Sequence, residues 1–553
     1  MSLTPVPAVT SQGQPVQLLR EDTSQTRGDQ ARKNNVQAAM MMAATVRSSL
    51  GPHGMDKMLV SHEGVITITN DGATMLKEMM VQHPAARILI ELSKATDGTV
   101  GDGTTSAVIL AGALLERAEE LIGQGLHPVV IVNGFSGAAR KAAEVMEQCS
   151  FAVPAHDRDS LVKAARTSMQ SKIVASQAGA LAGIVADAVL AVAQEKEGRY
   201  LVDMKSIKVE KKAGGAISDT RLIRGVVLDQ KIVHPDMARR TEKARIAMLS
   251  VPFTIEATAF SNMITIREAS KLTRFLDEET RMLREMVEKV RASGATMVIC
   301  QKEIDDIAQS MLSRAGIVAV QKAYEYEMPR TAQATGARVV DNFDDLRPED
   351  LGFADVVEER TVDKDKLLFI EGCRDPRAVT ILIRGGSQKV IEEGERSIHD
   401  GLMVAKDLLQ EPALVAGGGA TEEEAAYQVQ KWSEGMSGRE QLAAGRFAEA
   451  LEQIPIALAE NAGMDRINAA AELRARHAEG GKWYGISSDG KVRDMRNEQV
   501  LEPLAVKRQV LLAATEAASM ILRVDNIVMR KPAELHPEKG MERTPEMNAP
   551  PPV

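Results

Sequence analysis

Helical segments at both ends of the chain bracket a middle in which short strands alternate with helices. That order constrains the fold most, because a helix or sheet with an open apolar face must bury it against another element. Near the N-terminus "NNVQAAMMMAATVRSSL" carries Ala and Met at helical spacing and stops at Gly51-Pro52. "GVITITN" alternates as a strand does, and "ATMLKEMMV" and "SAVILAGALLERAEELIGQG" return to the helical period, the last closed by Gly123 and Gly125. Beyond residue 380, "VIEEGERSIHDGLMVAKDLL", "GREQLAAGRFAEALEQIPIALAENAG" and "LAVKRQVLLAATEAASMIL" are helical again. In the middle, "IAMLSV", "TMVICQ", "GIVAVQ" and "ARVVD" have the length and β-branched content of short buried strands. "GRYLVDMKSIKVEKKAGGA" reads as strand with a Gly-Gly turn. The simplest arrangement is nested: a helical domain built from both ends, a hinge inside it, and an α/β domain innermost. A chain of 553 residues has room for it, at a prior of about 150 residues per domain.

Several function classes are disfavoured. A net charge of -9 and 3% aromatic residues argue against a nucleic-acid binder, which needs a basic face and stacking platforms. No run reaches the ~18 apolar residues of a membrane span, so no transmembrane helix is expected. The N-terminal "MSLTPVPAVTSQGQPVQ" lacks a basic-then-apolar leader, so a cytoplasmic protein is expected. Cys149, Cys300 and Cys373 form no CxxC, and the nine histidines show no paired spacing; buried, inert thiols are expected rather than a zinc site or a disulfide scaffold. The first ~20 residues and the tail 533–553 have the Pro-rich, polar composition of disorder. Within the α/β part, "ASKLTRFLDEETRMLREMVEKVRASG" places Leu276, Leu283 and Val290 seven apart, with Met286 and Val287 in the same stripe. Such a helix could cover the core or form an extended arm, and periodicity alone favours core packing.

The chemistry concentrates in glycine-rich turns at helix starts. No GxxxxGK[ST] occurs, so there is no P-loop. In "TVGDGTTSAVILAG", Asp102 sits between Gly101 and Gly103 and is followed by Thr104, Thr105 and Ser106. The glycine, the hydroxyls and the free N–H groups of a helix start suit phosphate oxygens. An ionised carboxylate only accepts hydrogen bonds and would repel them. Mg²⁺ reconciles the two, since it is usually held by one or two carboxylates together with substrate phosphates. An Asp-Gly turn with a Thr cap fits the spacing equally. Asn70-Asp71-Gly72 and "SSLGPHGMDK" are turns of the same ambiguous kind. Asp400 stands mid-helix, where Asp is a poor helix former, as either a solvated residue or a carboxylate aimed into a cleft. Lys172 is a surface lysine or a phosphate partner. "VAGGGATEEEAA" sets three glycines before an acidic first turn, which complements the helix dipole.

Taken in order, "TVRSSLGPHGMDKMLV", "ITNDGATMLKEM", "VGDGTTSAVILAGALL", "VEKKAGG", "REMVEKVRASGATMVICQKEIDDIAQ", "SIHDGLMVAKD", "SGREQLAAGRFAEALEQIPIALAENAG" and "LEPLAVKRQVLLAATEAASMILRVD" closely resemble the group II chaperonins, the archaeal thermosome and the eukaryotic cytosolic chaperonin. The resemblance runs from about residue 17 to 530. It implies a multidomain α and α/β subunit of a double ring that encloses non-native protein in cycles driven by Mg²⁺ and ATP. The implied parts are a mostly helical equatorial domain (1–155 and 413–532), a small α/β intermediate hinge domain (156–225 and 379–412) and an α/β apical domain (226–378). A helical protrusion at about 257–289 would be a built-in lid, with no separate lid co-chaperonin. The same resemblance implies that Leu50, Gly51 and Pro52 line the phosphate loop, and that Asn70 and Gly72 also bind the nucleotide. Asp102 would hold the metal, with Gly103, Thr104, Thr105 and Ser106 on the phosphates. Asp71 and Asp400 would orient and activate water, Lys172 would sense the terminal phosphate, and Gly417, Gly418 and Glu502 would lie near base and ribose. Gly98, Thr99, His53, "ATAFSNM" and the "NAPPPV" ending depart from the family pattern, and none removes a catalytic acid. A small-molecule enzyme using the same nucleotide chemistry and a ring scaffold without hydrolysis are the competing readings.

Overall fold

The computed structural model describes residues 23–79, 81–172, 174–255, 269–373 and 378–530. The Pro-rich ends expected to be disordered, and the stretch 256–268 that opens the expected protrusion, lie outside the described residues.

The two ends of the chain form one helical body. The Thr104–Gly123 helix runs through its centre, buried on every side from Ala107 to Leu115. Gly28–Arg47 and Pro84–Val100, from the front of the chain, pack on it, as do Glu440–Leu451 and Leu504–Leu522 from the back. Phe135, on Pro128–Cys149, meets Phe447 edge to face at 5.7 Å. The ends also pair as strands, Thr23–Arg27 antiparallel to Asn526–Arg530. Neither end could bury its apolar face alone, which is the physical reason for the nesting.

A second group of elements continues this core. Arg158–Met169, Ala178–Val192 and Gln388–Gln410 pack together beside a parallel strand pair, Ile207–Ala213 with Val379–Gly385, edged by Arg221–Ile223. One expectation is corrected here. Residues 175–192 are long and apolar enough to cross a membrane, with a mean hydropathy of 1.6. The segment is rich in Ala rather than in large apolar side chains, and Ser176, Gln177, Gly179, Gly183 and Asp187 break it up, so its hydrophobicity is spread thinly along the chain. In the fold Leu181, Val185 and Val189 point into the shared core, which accounts for their hydrophobicity.

The middle of the chain builds its own sheet and core. The strand order is Val318–Val320, Met297–Cys300, Arg240–Leu249, Gly352–Val362, Asp365–Cys373, Gly225–Leu228, with Val339–Val340 added on Arg240–Leu249. All four short apolar runs of the sequence lie in this sheet. Its first members pair in parallel and the rest antiparallel. The Ala269–Ser293 helix lays Leu283, Val287 and Val290 on the sheet core, as the stripe predicts, with Met286 half-buried beside them. The Leu276 side chain lies outside the described residues. Burial pushes the Cys149, Cys300 and Cys373 thiols up to about 11, as expected of inert thiols.

Candidate functional site

A cavity of about 290 Å³ opens where the helical body meets the end of the Arg158–Met169 helix. Asp102 stands on its wall, held by the geometry of its neighbours. Gly101 ends the Pro84–Val100 helix at φ 70°, and Gly103 starts Thr104–Gly123 at φ 76°, both in the left-handed region. A Cβ on Gly101 would lie 2.3 Å from Met403 Cβ, and one on Gly103 would lie 2.6 Å from Val510 Cγ2. Only glycine fits both places. The first residue of the helix is Thr104 and its cap is Gly103, which has no side chain to offer, so the Thr-capped turn is not formed. Asp102 Oδ1 accepts from Gly103 N at 2.6 Å, and no side-chain cap competes for the helix's first N–H groups.

Other segments supply the remaining walls. Leu50, Gly51 and Pro52 form a loop fastened from the far end of the chain. Asn461 Nδ2 donates to the Leu50 and Arg47 carbonyls at 2.8 and 3.0 Å. Gly418 and Gly419 precede the Ala420–Glu434 helix. Glu502 shares Lys507 with Glu422, each carboxylate 2.8 Å from Nζ. Burial and Glu422 push the Glu502 carboxyl up, and Lys507 partly offsets them. The last turn of Arg158–Met169 brings Arg166, Thr167 and Ser168, and Thr167 Oγ1 accepts from Leu501 N at 3.2 Å.

Behind Asp102 lies a compact charge cluster. Asp400, in the middle of Gln388–Gln410, is only 5% exposed and accepts a hydrogen bond from Lys172 Nζ, 228 positions earlier. Burial pushes the Asp400 carboxyl well above the usual range, Asp71 and Asp102 push it further, and Lys172 opposes them. Burial acts to lower the Lys172 ammonium, but Asp400, Asp71 and Asp102 outweigh it and hold the charge on the lysine. Asp71 caps the Gly72–Glu78 helix, accepting from Thr74 N at 2.7 Å through Oδ2. Its other oxygen accepts from Thr104 Oγ1 at 3.3 Å. Asp97 joins the cluster, its carboxyl raised by burial and by Asp71.

Of the residues predicted from sequence, Leu50, Gly51, Pro52, Asp102, Gly103, Ser106, Gly418 and Glu502 line the cavity. Asp71, Thr104, Lys172 and Asp400 form the cluster behind it. Asn70 Nδ2 donates to the Ser171 carbonyl. Gly72 lies against Thr105, and Gly417 N donates to Val500 O at 2.9 Å beside Glu502. Sequence reasoning missed Asp97, Arg166, Ser168 and Lys507. Asp97-Gly98 carries the same Asp-Gly signal as Asp102, whereas the others stand inside ordinary helical patterns.

The donor set fits Mg²⁺ with a nucleotide. It is built of oxygen, and Asn70 Oδ1 and Ser168 Oγ are buried without a hydrogen-bond partner. Among the described residues no three His, Cys, Asp or Glu side chains converge as a metal cage. A cation at Asp102 would therefore take most ligands from phosphate and water, the usual manner of Mg²⁺.

Residues 42–532 match the model of the TCP-1/cpn60 chaperonin family. The chain belongs to that family. It is 48% identical to a thermosome subunit of Methanopyrus kandleri over 517 residues, 93% of this chain and 95% of the relative. It is 46% identical to the thermosome alpha subunit of Archaeoglobus fulgidus over 534 residues, 96% of this chain and 98% of that one. The beta subunit of the same organism matches equally, 46% over 542 residues, 97% of this chain and 99% of the relative. These matches place the chaperonin chain in group II.

Proposed function

We propose that this chain is a subunit of an ATP-driven double ring that encloses and refolds non-native protein, and that ATP is hydrolysed in the cavity ending at Asp102. The observation that carries the proposal is the meeting of Asp71, Lys172 and Asp400, from three separate segments, behind Asp102 on the cavity wall. Phosphoryl transfer to water asks for positioning and charge neutralisation more than covalent chemistry. Mg²⁺ bound at Asp102 would neutralise phosphate charge. Gly103, Thr104, Thr105 and Ser106 offer N–H and O–H donors to the phosphates, and the Leu50–Pro52 loop closes over them. Asn70 and Gly72 hold the adjoining turn. Asp400, a carboxylate made more basic by burial and by like-charged neighbours, takes the proton of the attacking water, which Asp71 orients. Lys172 keeps its positive charge and faces the terminal phosphate. Gly417, Gly418 and Glu502 receive the base and ribose.

Asp400 and Lys172 ride on the hinge elements, and Asp71 and Asp102 on the helical body. Movement of the hinge elements would separate the two halves and stop hydrolysis, coupling turnover to closure. The helical, hinge and sheet bodies correspond to equatorial, intermediate and apical domains, with the protrusion near 257–289 as lid. The partners are non-native proteins and further copies or paralogous subunits in the cytoplasm, with no separate lid protein, nucleic acid or membrane.

The test is electron microscopy of the purified protein together with ATP turnover and refolding of a denatured client. Double rings that hydrolyse ATP and raise client yield are expected. A monomer would sink the ring reading, and a ring without turnover would leave a scaffold.

A further inference from the structure

Arg166 lines the cavity from the last turn of the Arg158–Met169 helix. Its carbonyl accepts from Gln170 N, so its backbone is an ordinary helix end and leaves the side chain free of any capping duty. A guanidinium carries five N–H donors and keeps its charge at any accessible pH. Here Nε is buried with no hydrogen-bond partner. Among the described residues the Arg166 side chain makes no hydrogen bond and no ion pair. Other half-exposed arginines do: Arg508 binds Glu411 and Arg360 binds Glu371, each through a hydrogen bond of 2.6 Å.

The acids on the same cavity are committed elsewhere. Glu502 pairs with Lys507, Glu498 with Arg493 at 3.1 Å, and Asp102 accepts from its own turn. The other cations of the site are committed too, Lys507 to Glu422 and Glu502, and Lys172 to Asp400. Arg166 is therefore an uncommitted positive charge on the wall. Two residues on, Ser168 Oγ is likewise buried and unpartnered. A permanent cation with a buried, unpaired N–H is matched by an anionic acceptor. In a nucleotide the anionic part is the polyphosphate.

We infer that Arg166 donates to the polyphosphate of the bound nucleotide and sets the preference of the site for di- and triphosphates over monophosphate and nucleoside. The inference rests on the nucleotide reading above. It makes Arg166 a specificity residue distinct from the cluster around Asp400.

The experiment measures binding of ATP, ADP, AMP and adenosine to the intact oligomer by calorimetry, in wild type, R166A and R166K, with assembly checked by elution volume. A hydrogen bond to a charged group corresponds to roughly 10- to 100-fold in affinity. R166A is expected to lose that factor for ATP and ADP while adenosine stays within about threefold. R166K should recover part of the loss, because it keeps the charge without the planar fork. Across an ATP titration, KM should rise with kcat nearly unchanged, the pattern of uniform binding. Equal loss for all four ligands, or no loss for any, overturns the role of Arg166. Wild-type protein that binds no ATP overturns the nucleotide reading beneath it, a result separable from wild type and R166A binding ATP alike.

Discussion

Replacing Asp400 by asparagine separates its base role from its structural one. Asparagine keeps the volume of the side chain and an oxygen that can still accept from Lys172 Nζ, so the packing of Gln388–Gln410 should survive. The amide oxygen cannot take a proton from water at neutral pH. A positioned general base contributes about 10²- to 10⁴-fold, or about 2.7–5.4 kcal/mol at 1.36 kcal/mol per tenfold. ATP affinity should hold or tighten, because the substitution removes one negative charge from a cluster that already contains Asp71 and Asp102. The assay is single-turnover hydrolysis beside calorimetric binding of ATP on the same assembled oligomer. Binding within a few-fold of wild type, with hydrolysis slowed by at least 10²-fold, is expected. Turnover within threefold of wild type would refute the assignment of Asp400 to proton transfer.

Two further outcomes follow from the structure. Asp102→Asn should weaken the Mg²⁺ dependence of nucleotide binding by at least ~10-fold, since even outer-shell changes cost about 10- to 100-fold in metal affinity; a magnesium titration indistinguishable from wild type would remove Asp102 from the metal. Of three consecutive buried acids, Glu422 bonds Lys507 and Glu424 bonds His477, but the Glu423 side chain makes no hydrogen bond among the described residues. Burial, with Glu452 nearby, pushes its carboxyl from 4.5 up to about 8. A raised carboxyl favours the fold fully below pH 4.5 and loses that contribution as pH rises towards 8. Glu423→Gln should therefore stand progressively better against wild type across this window, by up to about 5 kcal/mol in total. Unfolding midpoints that differ by a pH-independent amount would contradict the burial of that charge.

Much of the fold was legible because its signals are local. The stripe of Leu283, Val287 and Val290, the short β-branched runs of the middle sheet, and the Gly-Asp-Gly turn before Thr104 each express a period or a backbone need within a few residues. Asp71 and Asp102 were candidates for the same reason, as acids in glycine turns at helix starts. Asp400 and Lys172 were weaker candidates, since each stands in a helical pattern that a solvated residue would satisfy equally. Arg166 gave no signal, because an arginine in a last helical turn is ordinary unless its partner is missing.

What the sequence determined by itself is therefore the inventory: which segments are helix or strand, which turns demand glycine, and which order of motifs marks a chaperonin chain. Tertiary structure decided which of these meet. The pairing of Thr23–Arg27 with Asn526–Arg530, the fastening of the Leu50 loop by Asn461, and the burial of Asp400 against Lys172 all join residues hundreds of positions apart. Hydrophobic periodicity tells a helix which face to bury, but not against what. The charge state of a carboxylate depends on that choice, because desolvation and neighbouring charge exist only once the partners are in place. Asp102 is an acid in a turn by its sequence. It becomes the end of a cavity, with a second acid behind it, only when both ends of the chain close around the same core.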